Sequence, residues 1–310
     1  MLAYYAKRSP GEDFERITTP LKSGVWVDGS NLSDQEINSL IATYELNANI
    51  VYDVRDKGEL PRLEFSGSDL YVFLRTPRLA KSGRVSALPL LCVLHDGFFL
   101  TLSIGETLEP ETVALSTLPI TTGHTQTLLL GVMAASVAKF EEMLQHTSRS
   151  IADTANRLKT HEITNHDFIH FVTVESNLNL CRMNLEAILV VTRRLHENSH
   201  DTFVAGSLEA LDDIALHIQQ LLVSIESYAQ SVASIRNAYS TVANNTLNQR
   251  MKTLTVITVL ITLPNVFFGM YGMNVSLPYA HESWGYGVII GTAIVMTVLV
   301  YVIAKRLKIF

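Results

Sequence analysis

The chain has 310 residues, carries a net charge of −6 at neutral pH and contains only 17% charged residues. That charged fraction is low for a soluble domain, and the mean hydropathy is positive. The acidic balance argues against nucleic acid as a partner, because phosphate binding needs a basic surface. Cys92 and Cys181 form no CxxC motif and are expected to be free, buried thiols in a reducing compartment.

Residues 1–124 alternate strand-like and helical patterns. The sequence from Ser33 to Glu36 is a capping box, which predicts a helix that ends near Leu46. Strands are expected at residues 24–28, 70–75, 88–94 and 98–102, the last two joined by a turn at Asp96-Gly97. These elements predict a small cytoplasmic α/β domain with a mixed or antiparallel sheet.

Residues 125–253 predict a helical and stalk domain. Long helical segments are expected at about 125–159 and 163–198, followed by a polar break. Neither glycine nor proline occurs between Gly206 and Pro264, which allows one helix over residues 207–263, about 85 Å long at 1.5 Å per residue. Only its C-terminal part fits in a membrane, so the remainder would form a cytoplasmic stalk.

Residues 254–310 predict a transmembrane pore domain. The stretches 254–273 and 284–304 contain no Asp, Glu, Lys or Arg, and each is long enough to cross roughly 30 Å of hydrocarbon. The loop 274–283 carries no Lys or Arg, whereas basic residues precede the first span and occur in the tail at 305–310. The N-terminus lacks the apolar core of a signal peptide. We therefore expect both termini in the cytoplasm and the spans in the plasma membrane, which is the inner membrane of a bacterium.

A polar stripe follows the long helix into the first span. Such residues often pack helices together or bond back to backbone carbonyls. A stripe that continues to membrane depth is better explained by a water-filled lumen, because hydrocarbon offers polar side chains no partners. Two spans cannot enclose water, so this interpretation requires a symmetric homo-oligomer. The stripe recurs every 3.5 residues and comprises Gln230, Ser234, Asn237, Thr241, Asn244, Asn248, Met251, Thr255, Thr258, Thr262, Asn265 and Gly269.

The stripe leads to the uncharged tetrapeptide Tyr271-Gly272-Met273-Asn274. A ring of Asn274 side chains would offer neutral oxygen ligands, which can hydrogen-bond to an intact Mg²⁺ hydration shell. A neutral ring also binds weakly enough for the ion to leave. Gly272 suits a tight turn or a close approach around the axis, and Met251 with Leu254 would form an apolar constriction.

These residues resemble the CorA family of divalent cation transporters, which have two spans and a Gly-Met-Asn motif. Upstream segments at 26–28, 60–64 and 70–75 are also similar to the cytoplasmic domain of that family. The motifs that carry the resemblance are Arg250-Met251-Lys252-x-Leu254-Thr255-x-Ile257-Thr258, Leu263-Pro264 and Tyr271-Gly272-Met273-Asn274.

The resemblance implies an α+β chain with an N-terminal α/β domain, a long helical stalk and two C-terminal transmembrane helices. It further implies a funnel-shaped homopentamer in which intracellular Mg²⁺ favours closure and the selectivity filter is formed by Gly272, Met273 and Asn274. The expected pore-lining residues are Asn244, Asn248, Met251, Leu254, Thr255, Thr258, Thr262, Asn265 and Gly269.

Three features bear on the ion and on regulation. The best-known branch of the family has an acidic loop after its motif, whereas residues 275–282 contain Glu282 as the single carboxylate. Thr262 stands where that branch often carries a methionine that helps to close the pore. Asp212 and Asp213 on the stalk are candidates for the regulatory metal site that the resemblance implies. The transported ion stays open between Mg²⁺ and Co²⁺, Ni²⁺ or Zn²⁺, which other members carry.

Two other classes of protein compete with this interpretation. His196-Glu197-Asn198-Ser199-His200 fits the H-E-x-x-H motif of zinc metalloproteases, but Asn-Ser is a poor helix interior and no third ligand follows. A membrane-tethered sensor would leave the polar stripe without a purpose. No nucleotide or cofactor motif occurs, so we expect no catalysis, no cofactor and passive transport driven by the membrane potential.

Overall fold

The computed structural model describes residues 1–18, 23–105, 107–114, 118–160, 165–197, 202–273 and 282–306. The strands in these residues are β1 (Leu2–Ala6), β2 (Glu15–Ile17), β3 (Val25–Ser30), β4 (Arg62–Ser66), β5 (Asp69–Leu79), β6 (Val85–Leu94) and β7 (Phe98–Ser103). The helices are α1 (Asp34–Tyr44), α2 (Ala48–Asp53), α3 (Pro110–Ala114), α4 (Thr125–Thr160), α5 (Asn165–His196), α6 (Ala205–Tyr271) and α7 (Gly285–Arg306).

The strands form one sheet in the order β2-β1-β3-β7-β6-β5-β4. Every neighbouring pair is antiparallel except β3 and β7, which run parallel, so the predicted mixed sheet is confirmed. The four predicted strands are also confirmed, and β5 and β6 are longer than predicted. The turn at Asp96-Gly97 is present, because the His95 N–H donates to the Phe98 carbonyl at 3.1 Å.

Helix α1 begins at the capping box that the sequence predicts. The Ser33 N–H donates to Glu36 Oε2 at 2.7 Å, and the Glu36 N–H donates to Ser33 Oγ at 3.4 Å. The helix ends at Tyr44, slightly before the predicted Leu46, because Glu45 adopts a left-handed conformation with φ 53°. Leu46 is instead buried in the core between α1, α2 and one face of the sheet.

A buried polar network lies at the parallel strands β3 and β7. The Trp26 indole donates to Thr101 Oγ1 at 2.8 Å, and the Thr101 hydroxyl donates to Asp28 Oδ1 at 2.6 Å. The Thr107 hydroxyl donates to the other Asp28 oxygen at 2.7 Å. Burial raises the pKa of the Asp28 carboxyl, although both hydroxyl donors act in the opposite direction. The carboxyl group is therefore fully hydrogen-bonded and carries a desolvation cost.

Helices α4 and α5 confirm the two long helical segments predicted from the sequence, with bounds within a few residues. Helix α4 packs across β5, β6 and β7, and the Ser136 hydroxyl donates to the Arg75 carbonyl at 2.9 Å. On α5, the Asn177 amide donates to the Gly83 carbonyl at 2.8 Å and accepts from the Val85 N–H at 2.9 Å. These bonds attach the turn between β5 and β6 to the helical layer.

The chain divides into two compact units, Met1–Ser234 and Ile235–Phe310. The first contains the sheet and the helices packed on it. The second contains the C-terminal part of α6 and all of α7. The three-part division at residues 124 and 253 stays a prediction.

Helices α6 and α7 are long and apolar enough to cross a membrane. Helix α6 is longer than the predicted 207–263, because it begins at Ala205 and continues through Pro264 to Tyr271. Proline removes the N–H that would bond to the Leu260 carbonyl, a loss that membrane helices tolerate. Helix α7 corresponds to the second predicted span.

Candidate ion-conducting surface

The nine predicted lining residues form a continuous exposed surface on α6 of the single chain. Met251 is 54% exposed and Leu254 58% exposed, so the two residues proposed for an apolar constriction lie open on this surface. The nine residues are the part of the polar stripe from Asn244 to Gly269, together with Leu254 beside it.

A different face of α6 is covered. Val256 is buried there, and Thr253, Leu260, Leu263 and Phe267 are half-buried. On α7 the buried residues are small, namely Gly285, Ala293 and Ala304. Within the described residues of this unit α6 and α7 are the only elements, so we infer that the two helices pack along these faces. Small residues allow two membrane helices to approach closely.

The polar stripe and the covered face lie on opposite sides of α6. At about 100° per residue, the mean direction of these nine residues is about 160° from that of the covered face. The stripe residues therefore do not lie on the buried face of α6.

The threonines of the stripe bond back to their own helix. The hydroxyls of Thr255, Thr258 and Thr262 donate to the carbonyls of the residues four positions earlier, at 2.9, 2.9 and 2.7 Å. This is the back-bonding that the sequence left open as an alternative to lumen lining. The two are compatible, because a hydroxyl that has donated its proton still presents oxygen lone pairs. The stripe therefore offers hydrogen-bond acceptors.

The structure describes only part of the segment that follows the C-terminal end of the polar stripe. Met273 is exposed, and the Gly272 N–H donates to the carbonyls of Phe268 and Gly269 at 3.0 and 3.2 Å. A Cβ atom added to Gly272 would lie 3.4 Å from the Phe268 oxygen, which is ordinary contact, and the residue does not have a positive φ. The single chain therefore does not require glycine here for a turn. Asn274 lies outside the described residues.

The two proposed regulatory aspartates are exposed on α6. Asp212 Oδ1 lies 3.2 Å from His196 Nε2 at the end of α5, a contact between two helices that was not predicted. Asp213 projects about 100° further around the helix. No group of three metal-binding side chains occurs among the described residues. Asp212 and Asp213 therefore form no metal site with other described side chains of the same chain.

The zinc-protease motif does not lie within a helix. Helix α5 ends at His196, and Glu197 follows in a turn, whereas the motif requires both histidines on one helix face. His200 lies outside the described residues. The observed partner of His196 is Asp212, so the first residue of the motif contacts a neighbouring helix.

Comparison with known proteins bears directly on this surface. The family described as CorA-like Mg²⁺ transporter protein matches residues 22–306, which include the whole of α6 and α7. The chain belongs to this family. The match extends from the sheet to the end of the second apolar helix, so the CorA resemblance of the sequence is confirmed over most of the chain.

Two relatives and three structures illustrate the similarity. The chain is 30% identical over 96 residues to the putative metal ion transporter YfjQ of Bacillus subtilis. It is 29% identical over 97 residues to the cobalt/magnesium transport protein CorA of Thermotoga maritima. These alignments cover 30% and 31% of the chain, and only 30% and 28% of the length of those relatives.

The complete CorA magnesium transporter of Methanocaldococcus jannaschii has a TM-score of 0.81 at 17% identity, covering 99% of this chain and 98% of that one. Full-length CmaX gives 0.71 at 18% identity, covering 99% and 97%. The ZntB cytoplasmic domain from Vibrio parahaemolyticus gives 0.61 at 12% identity, covering 78% and 98%. These likenesses establish the CorA fold, with its α/β domain, long helix and two C-terminal apolar helices.

Sequence reasoning overlooked the apolar flanks of the polar stripe. Exposed apolar side chains lie on both sides of it at membrane depth. Their spacing of three to four residues was the available signal, but apolar residues are expected on any lipid-facing helix and so do not by themselves indicate a protein contact. One flank contains Ile257, Ile261 and Phe268, and the other contains Val259, Val266 and Met270.

Proposed function

We propose that this CorA-family chain is a passive divalent cation channel that moves hydrated Mg²⁺ through a homo-oligomeric pore lined by α6. The observation that carries the proposal is the position of the polar stripe, which lies about 160° around α6 from the covered face. With α7 on the outside, the stripe is free to face a central lumen.

The apolar flanks support an oligomer. If the polar stripe of α6 faces a lumen and its covered face packs against α7, the two remaining faces must contact neighbouring copies of the chain. The exposed Ile261 and Phe268 on one side and Val266 and Met270 on the other suit that contact. The CorA resemblance gives five copies in a funnel-shaped assembly.

The acceptor oxygens of the stripe favour a hydrated cation as the cargo. Water molecules bound to a cation direct their hydrogens outward, and threonine oxygens whose protons are already donated can accept them. Mg²⁺ holds its water tightly and prefers oxygen ligands, whereas Zn²⁺ prefers nitrogen and sulfur. Because relatives are named as cobalt/magnesium transport proteins, Co²⁺ is the closest competitor. Zn²⁺ and Ni²⁺ are the further alternatives.

The remaining roles follow from the resemblance and belong to the proposal. Asn274, with Gly272 and Met273, forms the selectivity filter at the outer mouth, and Met251 with Leu254 forms the apolar constriction. Asp212 and Asp213 bind intracellular Mg²⁺ and favour closure. The spans lie in the plasma membrane with both termini in the cytoplasm, since basic residues such as Lys305 and Arg306 flank them.

Uptake into reconstituted vesicles tests the function. The full-length protein should admit Mg²⁺, and the order in which Co²⁺, Ni²⁺ and Zn²⁺ compete gives the preferred ion. Asn274→Ala should abolish or broaden that preference, whereas the matched control His196→Ala should leave uptake unchanged. Absence of Mg²⁺ uptake by the wild-type protein would refute the proposal, and unchanged uptake in Asn274→Ala would remove this residue from the filter.

A further inference from the structure

The second unit, Ile235–Phe310, is basic although the chain as a whole is acidic. Its sequence contains six Lys or Arg residues but only one Asp or Glu, which is Glu282. Glu282 lies between α6 and α7, at the opposite end of the two spans from Lys252, Lys305 and Arg306. None of these three cationic side chains forms a hydrogen bond or an ion pair among the described residues. This end of the two helices therefore carries uncompensated positive charge within its unit.

The three cations lie where the apolar segments end. Residues 254–271 of α6 and 285–304 of α7 contain no charged side chain, and at 1.5 Å per residue they are about 27 and 30 Å long. Both lengths match the roughly 30 Å of hydrocarbon in a bilayer. Lys252 lies just before the first segment, and Lys305 and Arg306 directly follow the second. All three are exposed and belong to the headgroup layer at the same membrane surface.

Arg306 stands at the end of an exposed apolar row on α7. Val295, Leu299 and Val302 precede it at spacings of four and three residues, so all four side chains share one face of the helix. The three apolar residues are 63%, 50% and 45% exposed. The buried Ala304 projects about 160° away from Arg306. The row therefore faces away from the covered side of α7.

The length of this row fits one leaflet of a bilayer. From Val295 to Arg306 the helix rises about 16 Å, and half of the hydrocarbon thickness is about 15 Å. A molecule that fills the row and also meets Arg306 must have an apolar chain of this length and a negatively charged head. A soluble anion would leave the apolar row exposed. The combination of row and cation thus favours a lipid.

We propose that this end of α6 and α7 binds an anionic phospholipid. An acyl chain lies along the apolar row, and the phosphate meets Arg306, whose planar guanidinium can donate two parallel hydrogen bonds to phosphate oxygens. Lys252 and Lys305 add positive charge to the same layer, which their long alkyl stems can reach. The inference requires the two spans but not ion transport. A membrane-tethered sensor with the same helices would bind the lipid equally.

Lipid-dependent melting of the full-length protein in detergent micelles tests this site. A ligand that binds only the folded state raises the melting temperature, so the mole fraction of phosphatidylglycerol that gives half of the maximal shift measures its affinity. Arg306→Gln, Lys305→Gln and Lys252→Gln should each raise that mole fraction about fivefold, the contribution of one cation near a membrane surface. Arg306→Lys keeps the charge and should retain most of the affinity.

Arg236→Gln is the matched control. It removes a positive charge from the same unit, but 16 residues before Lys252, which is about 24 Å along α6. That distance exceeds the screening length of about 10 Å at 0.1 M salt, so this variant should bind phosphatidylglycerol as the wild type does. Loss of affinity in Arg236→Gln equal to that in Arg306→Gln would overturn the proposal.

Two other ligands complete the test. Phosphatidylcholine, which has no net charge, should shift the melting temperature of the wild type much less than phosphatidylglycerol at the same mole fraction. Equal shifts would overturn the proposal. Inorganic phosphate should have no more effect than sodium chloride of the same ionic strength, and a saturable shift with phosphate would assign the cations to a soluble anion instead. Because melting is measured without transport, a failure of Mg²⁺ uptake leaves this result unaffected.

Discussion

Thr258→Val is the sharpest test of the lining surface. The substitution replaces a hydroxyl by a methyl group of nearly the same shape, at the centre of the membrane part of the polar stripe. The Thr258 hydroxyl donates to the Leu254 carbonyl at 2.9 Å and is exposed. Valine and threonine have similar helix propensities, so the helix should persist. What the pore loses is one acceptor oxygen from each copy.

The expected size of the effect follows from the lost hydrogen bonds. A hydrogen bond between the hydroxyl oxygen and a water of the ion's hydration shell contributes about 1 kcal/mol. If two copies contact the shell at once, the barrier at this ring rises by about 2 kcal/mol. That corresponds to about a thirtyfold slower rate.

Initial rates of Mg²⁺ uptake into reconstituted vesicles measure this change, and α6 itself provides the control. The Thr253 hydroxyl also donates back to its helix, to the Gln249 carbonyl at 3.0 Å, but Thr253 is half-buried and lies on the opposite side of α6 from the stripe. Thr253→Val should therefore leave the rate within about twofold, and Thr258→Ser should restore most of it. Equal rates for Thr253→Val and Thr258→Val would refute the assignment of the stripe to a lumen.

Three other outcomes are expected. Asp213→Ala should raise the internal Mg²⁺ concentration needed to halve uptake, measured in preloaded vesicles; an unchanged concentration would exclude this residue from regulation. Asp28→Asn should remove a pH dependence of stability. Because the pKa of Asp28 is raised in the native state, the native state binds this proton more tightly than the unfolded state, and the stability of the wild type falls as the pH rises above about 3.8. The melting temperature of the wild type should therefore fall with pH relative to that of the variant over this range. Phe73→Ala, at a fully buried ring, should cost about 3–5 kcal/mol in denaturant unfolding, and a loss below about 1 kcal/mol would contradict its place in the core.

Local signals predicted the fold well where they were strong. The capping box at Ser33 fixed the start of α1, because its two hydrogen bonds depend only on neighbouring residues. The long helices followed from periodicity and from the scarcity of glycine and proline. Strands β1, β2 and β4 were not predicted individually, because they are short and lie towards the edge of the sheet, where alternation is weak.

The candidate site was predicted in part for a similar reason. Periodicity placed the polar stripe on one face of α6, but only the structure shows that a different face of this helix is the buried one. The contact between His196 and Asp212 joins residues from two helices, which no local pattern encodes. Contacts between residues that are distant in the sequence depend on how the helices and strands pack together.

The burial of both cysteines makes the chain a ready background for chemical labelling. Cys92 and Cys181 are the only thiols in the sequence, and both are buried. Desolvation raises the pKa of each, to about 12 for Cys181, so little reactive thiolate forms at neutral pH. A single cysteine introduced along α6 would then be the one site that a maleimide or a methanethiosulfonate reagent modifies. Water-accessible positions could be mapped one by one without first removing a native residue.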